Sequence, residues 1–194
     1  MQLLKPQVEK SVKQDEEALV KRAAAGDTDA FADLYEQYLD RLFRYFYYRI
    51  GHREDAEDLT EQVFLKAWQA IGAYDCRGLP FSAWVFRIAH NLLIDHRRTR
   101  RETAPLDEGL EIEDERNGPG ELMVRKAEVQ ALSRALSRLS SVEQSVVALR
   151  FIEGLDHRSV AGVIGKSEVA TRSIQMRALD RLGRILSATE RSEP

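Results

Sequence analysis

The segment from Phe81 to Arg101 brings aromatic, amide and cationic side chains together in one short stretch of chain. Aromatic rings stack on unpaired bases, arginines neutralise phosphates, and amides hydrogen-bond base edges. At steps of three and four residues, a polar stripe would run along one side of a helix, formed by Arg87, Asn91, Asp95 and Arg98. This pattern is typical of a surface that holds single-stranded or melted nucleic acid.

A structural interpretation of the same segment is also open. Phe81 and Trp84 share a helical spacing with Val85, Ile88 and Leu92, and most aromatic side chains at such spacing are core. Arginines in the last turn of a helix also complement its dipole without any ligand. Taken alone, the segment does not decide between nucleic-acid binding and packing.

Five carboxylates fall within about two turns near the start of another predicted helix: Glu54, Asp55, Glu57, Asp58 and Glu61. One interpretation is a solvated face that complements the helix dipole. A second is part of a metal site, which would need further acidic or histidine ligands that do not stand out elsewhere. A third is a docking surface for a basic partner. The spacing of the carboxylates leaves these interpretations open.

The segment from Asp156 to Leu186 predicts a helix, a tight turn at Gly165, and a second helix capped by Ser167, as in a helix-turn-helix. Its predicted interior consists of Val160, Ala161, Ile164, Val169, Ile174, Leu179 and Leu182. A recognition helix places its N-terminal half in the major groove. The candidate base contacts by this position are Glu168, Thr171, Arg172, Ser173 and Gln175. A hairpin in a purely structural bundle could share the pattern.

The elements that position these residues are predicted to be helices. The 194-residue chain is 43% hydrophobic and rich in Leu, Ala, Arg and Glu, with few β-branched runs, which predicts an all-α fold. It has no apolar run near the roughly 20 residues of a membrane span and no signal-peptide core, so we expect a cytoplasmic protein. Because Cys76 is its single cysteine and its histidines are scattered, no disulfide or metal site is expected.

Charge divides the chain into parts. The net charge is −3, but residues 97–101 hold four arginines, whereas residues 102–121 hold eight acidic residues against Arg116. The acidic stretch also contains Pro and Gly without periodicity, which predicts a flexible linker. The predicted organisation is a flexible tail (1–17), a first helical domain (18–101), an acidic linker (102–120), a second helical domain (121–188) and a tail (189–194).

Several helix ends are marked in the sequence. Asp15 could cap the first helix, and Asp27 and Gly51 would bound a long aromatic-rich second helix. Ser140 followed by Glu143 predicts a capping box. The second helix ends in a cluster that cannot all be core: Arg44, Tyr45, Tyr47, Tyr48 and Arg49.

Two nucleic-acid signals of different kinds therefore flank an acidic linker, and this arrangement resembles the sigma-70 family of bacterial RNA polymerase sigma factors, in its extracytoplasmic-function (ECF) group. The resemblance covers roughly residues 18–187. FADLYEQYLDRLFRYFYYRI is similar to region 2.1 and REDAEDLTEQVFLKAW to region 2.2, while FSAWVFRIAHNLLIDHRR is similar to regions 2.3 and 2.4. The C-terminal helices resemble region 4. The resemblance implies a non-enzymatic transcription initiation factor without a cofactor.

The resemblance also implies roles for individual residues. The residues expected to dock on the clamp coiled coil of the largest polymerase subunit are Asp55, Glu57, Asp58, Leu59, Gln62 and Phe64. Those expected at the melted minus-ten element are Tyr74, Arg77, Trp84, Arg87, Asn91, Asp95 and Arg98, with Asn91 at a flipped base and the 72–80 loop beside it. Those expected at the minus-thirty-five element are Arg150, Lys166, Arg172, Ser173, Met176 and Arg177.

Further partners follow from the same resemblance. The C-terminal domain is expected to contact the flap of the second-largest polymerase subunit, and the acidic linker to thread along the active-site and RNA-exit channels. An anti-sigma factor is expected as a regulator. This chain departs from the family pattern at the recognition helix, where Val169, Ala170 and Thr171 replace a Gly-Thr-Val segment and Ile174 replaces a cation.

Three other functions remain as alternatives. A conventional helix-turn-helix regulator would bind duplex DNA without polymerase, usually as a dimer at a palindrome. A metal-dependent nuclease would use the carboxylate cluster and show turnover. A structural helical adaptor would bind no DNA.

Overall fold

The computed structural model describes residues 5–75, 78–103 and 135–190, and in these ranges it contains helices and no strand. The helices are α1 (Lys5–Ala24), α2 (Thr28–Ile50), α3 (Arg53–Ala70), α4 (Phe81–Thr103), α5 (Ser141–Val147), α6 (His157–Ile164) and α7 (Glu168–Glu190). A 3₁₀ turn (Ile71–Ala73) follows α3, and α5 continues as a π-helical stretch (Ala148–Ile152). The predicted all-α fold of two helical domains is confirmed, with α1–α4 in the first and α5–α7 in the second.

Two predicted segments lie wholly or mainly outside the described residues. They are the acidic linker at 102–120 and the helix expected from residue 121. Cys76 and Arg77 also lie outside them. At the other end of the chain the structure differs from the expectation, because α1 begins at Lys5 rather than at Asp15.

The helix ends follow the local capping chemistry of the sequence. Asp27 accepts hydrogen bonds from the backbone N–H groups of Asp29 and Ala30, and Gly51 ends α2 at φ 75°, a left-handed conformation that favours glycine. Ser140 and Glu143 form the predicted capping box at the start of α5. These predictions are confirmed.

Aromatic contacts hold the first domain together. Tyr35 packs on Phe64 with ring centroids 4.3 Å apart, which joins α2 to α3. On the other side of α2, Tyr45 meets Phe86 of α4 edge to face at 5.4 Å. Such pairs add to the stability that burial of their area provides. The result is a rigid base from which α4 presents its remaining side.

The second domain packs directly on the first. Helix α6 lies against α4, and one apolar core continues from Phe86 and Leu93 of α4 into Leu149 and Val160 of the second domain. At Gly162 the approach is so close that an added Cβ would lie 2.5 Å from Leu79 Cδ1. An alanine there would require the Leu79 side chain of the first domain to shift, so the constraint on this glycine comes from the neighbouring domain rather than from its own helix. We call this packed arrangement the closed form.

Short polar contacts also join the two domains in the closed form. They run from Arg41 Nε to Glu153 Oε2 (2.9 Å), from Arg49 Nη2 to Ser145 Oγ (2.7 Å) and from Arg97 Nη2 to Gln144 Oε1 (2.7 Å). These contacts explain a feature that the sequence left open. Arg49 is buried because the second domain covers it, Tyr45 is buried against Phe86 of α4, and Tyr47 is also buried, whereas Arg44 remains exposed.

His90 lies buried between the domains, with its Nδ1 3.4 Å from Tyr45 Oη and 3.4 Å from Ser145 Oγ. Burial, together with the charges of Arg49 and Arg97, lowers the pKa of His90 from 6.5 to about 4. A lowered histidine pKa stabilises the fold above the unfolded pKa, and this stabilisation is lost as pH falls towards the folded value. We expect the free energy of unfolding to fall by about 2 kcal/mol between pH 7.5 and 5.

Urea unfolding at the two pH values measures this difference. The matched variant is His90→Gln, which keeps a polar side chain without a titrating group. Glu153 acts with the opposite sign, because burial raises its carboxyl pKa even beside Arg41, but it is present in both proteins and cancels in the comparison. A pH dependence that is equally steep in His90→Gln would show that His90 does not carry the effect.

Candidate nucleic-acid and polymerase interfaces

One side of α4 is free of packing. Its residues are Arg87, Asn91, Asp95 and Arg98, which we call the α4 stripe, and all four are exposed. The opposite side of α4 is buried against α2, α3 and α6. The predicted polar stripe therefore exists as one exposed surface, with a cation near each end and an amide between them. Asp95 lies 3.4 Å from Arg98, so part of the positive charge is already paired.

An aromatic cavity of about 310 Å³ adjoins the α4 stripe. It is lined by Ala73, Tyr74, Asp75, Gly78, Leu79, Trp84 and Arg87. Tyr74 is held in place because its hydroxyl donates to the Leu79 carbonyl at 2.6 Å and its ring centroid lies 5.0 Å from that of Trp84. Two aromatic rings beside hydrogen-bonding groups suit a base that has left its stack. Phe81, by contrast, is buried and structural.

Helix α7 presents a second exposed surface. Lys166, Arg172, Ser173, Met176 and Arg177 are all exposed at or just before its first three turns. The predicted cap is confirmed, since Ser167 Oγ accepts from the Ala170 N–H at 3.2 Å. Arg172 is paired with Glu168 at 2.6 Å on the surface, where such a pair is weak and easily exchanged for a phosphate.

Three expectations for α7 were wrong. Thr171 was a candidate base contact, but it is fully buried and its hydroxyl donates to the Ser167 carbonyl at 2.9 Å. Val169 and Leu179 were assigned to the interior, but both are exposed. The rotation of α7 about its own axis differs from the one expected. The helix buries the side that carries Thr171, Ile174 and Ala178, so Val169 lies on the outward side.

Arg150 has internal partners in the second domain. Its Nη1 donates to the Leu155 carbonyl, and its Nε donates to Gln175 Oε1 at 3.3 Å. Both Arg150 and Gln175 are half-buried. These bonds link the π-helical stretch to α7, so Arg150 positions the recognition helix in this arrangement.

The acidic helix α3 divides into a surface and a support. Asp58, Glu61, Gln62 and Leu65 line a shallow surface depression. Two residues expected on the docking surface do not lie there: Leu59 and Phe64 are buried and form the packing behind it. Glu57 is exposed and lies 2.8 Å from Arg53.

Asp55, also expected to dock, is half-buried and faces α4. Its Oδ2 lies 3.3 Å from Arg100 Nη1 and 3.5 Å from His96 Nε2. These contacts tie α3 to the basic end of α4. Leu65 was not expected at the surface depression, and Glu61 was expected on the acidic face but not among the docking residues that the resemblance implies. The sequence could have indicated Leu65, because it is an apolar residue that does not share the helical spacing of the buried residues of α3.

Two further properties of the described residues bear on the alternatives. They contain no group of three or more His, Cys, Asp or Glu side chains arranged to hold a metal ion. None of their helices is long and apolar enough to cross a membrane.

Family models and relatives match the chain over both domains. The model for sigma-70 region 2 matches residues 34–103, and that for sigma-70 region 4 matches residues 135–183. The ECF RNA polymerase sigma factor BldN of Streptomyces coelicolor is 40% identical over 87% of this chain, which spans 64% of the length of BldN. NccH of Alcaligenes xylosoxydans, an RNA polymerase sigma factor, is 30% identical over 90% of this chain and 96% of its own.

A solved structure agrees with these matches. CnrH, in its complex with the cytosolic domain of CnrY, is 25% identical and superposes with a TM-score of 0.72 over 90% of this chain and 98% of its own. With region 2 on α2–α4, region 4 on α5–α7, and NccH matched over 96% of its own length, the resemblance is confirmed. The chain belongs to the sigma-70 family of RNA polymerase sigma factors, in its extracytoplasmic-function group.

Proposed function

We propose that this chain is a non-enzymatic specificity subunit that binds core RNA polymerase and directs it to promoters. The observation that carries the proposal is the presence of two exposed recognition surfaces in one chain. One is the α4 stripe with its aromatic cavity, suited to melted DNA, and the other is the outward side of α7, suited to a duplex. Family membership supplies polymerase as the partner that uses both.

At the minus-ten element, the first domain captures a base that has left the duplex. Flipping a base costs a few kcal/mol, which stacking on aromatic rings and hydrogen bonds to the base edge offset. Tyr74 and Trp84 offer the rings, and Asn91 on the exposed α4 stripe offers both a donor and an acceptor. Arg87 and Arg98 lie on either side of Asn91 for phosphates. Arg77 is included in this proposal on the basis of the sequence alone, because it lies outside the described residues.

We expect Asn91→Ala to reduce the preference for the correct minus-ten base by about tenfold, because a good base-edge contact is worth about 1–3 kcal/mol. Affinity for core polymerase should be unchanged, since Asn91 lies on α4 and not on the acidic surface of α3. Open-complex formation on matched and mismatched promoters measures the preference. Gln37→Ala, which removes an exposed amide from α2, is the control. Loss of polymerase binding in Asn91→Ala would contradict this division of labour.

At the minus-thirty-five element, α7 enters the major groove of a duplex. Lys166, Arg172 and Arg177 are placed to neutralise phosphates, and Ser173 and Met176 face the base edges. Each domain alone is small and would bind weakly. Held together on polymerase, the two contacts add through effective concentration.

The closed form must open for both contacts to be made at once. The two elements are about 25 base pairs apart by their names, or about 85 Å along the duplex. In the closed form α4 and α7 both pack on α6. Their axes are therefore separated by about two interaxial distances, roughly 20 Å. Binding to polymerase would separate the domains, with the acidic linker, residues 102–120, spanning the gap between domains at 18–101 and 121–188.

Polymerase docking is assigned to the acidic side of α3, through Asp58 and Gln62, with Leu65 about one turn beyond Gln62. The family resemblance places the clamp coiled coil of the largest subunit there and the flap of the second-largest subunit on the C-terminal domain. A cytoplasmic location follows from these partners. A protein regulator of the anti-sigma type is a further proposal, supported by the complex of the similar CnrH with CnrY.

A footprint on promoter DNA tests the proposal. With core polymerase, the full chain should protect two patches about 25 base pairs apart. Without polymerase it should protect neither. Protection of a palindromic duplex by the chain alone would instead identify a conventional helix-turn-helix regulator.

A further inference from the structure

Two aliphatic side chains stand on the outward side of α7, where packing does not use them. Val169 is 75% exposed and Met176 is 72% exposed, and these are the two most exposed large apolar side chains in the described part of the chain. They are seven residues apart and so lie on one line, two turns from each other. Arg172 and Ser173 lie between them on the same side. The recognition helix therefore presents an apolar, cationic, polar and apolar side chain in succession.

Val169 and Met176 are exposed because the other side of α7 is the one that packs into the core. The inward side of α7 is complete, with Thr171, Ile174 and Ala178 buried in register. Val169 and Met176 lie across the helix from these residues and have no place in that core. A single exposed apolar side chain needs no explanation, but two aligned ones among cations on a DNA-facing helix form a defined surface.

We propose that Val169 and Met176 each contact the methyl group of a thymine in the major groove of the minus-thirty-five element. This inference rests on the proposed function and specifies its chemistry. The floor of the major groove is polar except for the C5-methyl group of thymine, which is the partner that an aliphatic side chain fits. The positive charges of Lys166, Arg172 and Arg177 surround the two side chains and match the phosphates on either side.

The geometry sets the spacing of the two thymines. Seven residues of helix rise by about 10 Å, and base pairs are stacked at about 3.4 Å, so the two methyl groups should lie about three base pairs apart on either strand. Val169 is nearer the helix start and contacts one of them, and Met176 contacts the other. Ser173 contacts a base edge between them.

Deoxyuridine substitution tests this directly, because it removes only the thymine methyl group and leaves every hydrogen-bonding atom. In a promoter from which the chain directs transcription, each thymine of the minus-thirty-five element is replaced in turn, and holoenzyme binding is measured. We expect substitution at two positions, about three base pairs apart, to lower the affinity of the holoenzyme by about fourfold each. This is the factor that corresponds to burying one methyl group. Val169→Ala should abolish the loss at one position and Met176→Ala at the other. Leu186→Ala, an exposed leucine farther along α7, should leave both losses in place.

The outcomes separate this inference from the proposed function. If transcription is directed normally but no thymine is sensitive to loss of its methyl group, the methyl contacts are wrong and the function stands. The methyl contacts are equally wrong if Val169→Ala and Met176→Ala keep both losses. If no promoter yields a transcript that depends on the chain, the proposed function fails and the inference fails with it.

Discussion

A chain whose two domains are covalently joined in the closed form should lose promoter-directed transcription by about two orders of magnitude. In the closed form α4 and α7 both pack on α6, which holds their recognition surfaces much closer together than the two promoter elements are, so a joined chain can engage only one promoter element at a time. Without the second contact, the chain loses the gain in promoter affinity that linking two contacts provides. For linked modules this gain is typically 10²–10⁴. The site for the link is the ion pair between Arg41 of α2 and Glu153 of the second domain, whose atoms lie 2.9 Å apart and belong to neither recognition surface.

The experiment uses Arg41→Cys with Glu153→Cys in a Cys76→Ser background, joined by a short bismaleimide reagent. Replacing both members of the ion pair leaves neither charge without its partner, and the shorter side chain at residue 41 uncovers residue 153 for the reagent. The same protein before crosslinking is the control and should direct transcription at a level near that of the wild type. Full transcription from the crosslinked protein would mean that the closed form does not have to open.

The second large effect is expected on docking to polymerase. Asp58→Arg should weaken affinity for core polymerase by at least about tenfold, because reversing one charge at a complementary interface places like charges together. Asp58 is exposed on α3 in the depression that Glu61, Gln62 and Leu65 also line, and Leu65, which is 59% exposed, adds an apolar side chain at one end of this acidic surface. Titration of labelled chain with core polymerase at two salt concentrations measures the affinity and its electrostatic part.

Asp33→Arg is the matched control for this measurement. Asp33 is also exposed, but it lies on the side of α2 away from Phe31 and Tyr35, which pack on α3. It should leave the affinity close to that of the wild type. If Asp58→Arg and Asp33→Arg behave alike, the acidic side of α3 is a solvated face and docking lies elsewhere.

The sequence predicted what local chemistry determines. Caps at Asp27, Ser140 and Ser167 and the glycine ends at Gly51 and Gly165 are side-chain or backbone events within a few residues, so they can be recognised without the fold. The polar α4 stripe followed from helical periodicity for the same reason. The family resemblance then supplied two domains and their order, which the structure confirms.

The sequence could not predict features that depend on which distant part of the chain a surface packs against. Arg49 looks like a surface cation in an aromatic-rich helix, yet it is buried because Ser145 of the other domain receives its guanidinium. Gly162 looks like an ordinary helix glycine until Leu79 is placed against it. These contacts join residues far apart in the chain, and no local pattern encodes them.

Rotation of a helix about its own axis is a second source of error. Val169 and Thr171 differ by two positions, and a modest turn of α7 exchanges which of them is buried. Periodicity favoured the aliphatic residue for the interior, but the hydroxyl of Thr171 satisfies itself on the Ser167 carbonyl and is buried without cost to its hydrogen bonding. Leu59 and Phe64 on α3 also proved to be buried rather than exposed. A sequence motif for docking contains the exposed residues that touch the partner together with the buried residues that support them.

Run-off transcription with purified core polymerase and genomic promoter fragments tests the central claim most directly. We predict transcripts that appear only with the full chain, start at discrete sites, and share two upstream elements about 25 base pairs apart. Changes in one element should be compensated by changes in α4 and changes in the other by changes in α7. Transcripts that are indifferent to the chain, although it binds duplex DNA tightly by itself, would contradict the account and identify a conventional regulator.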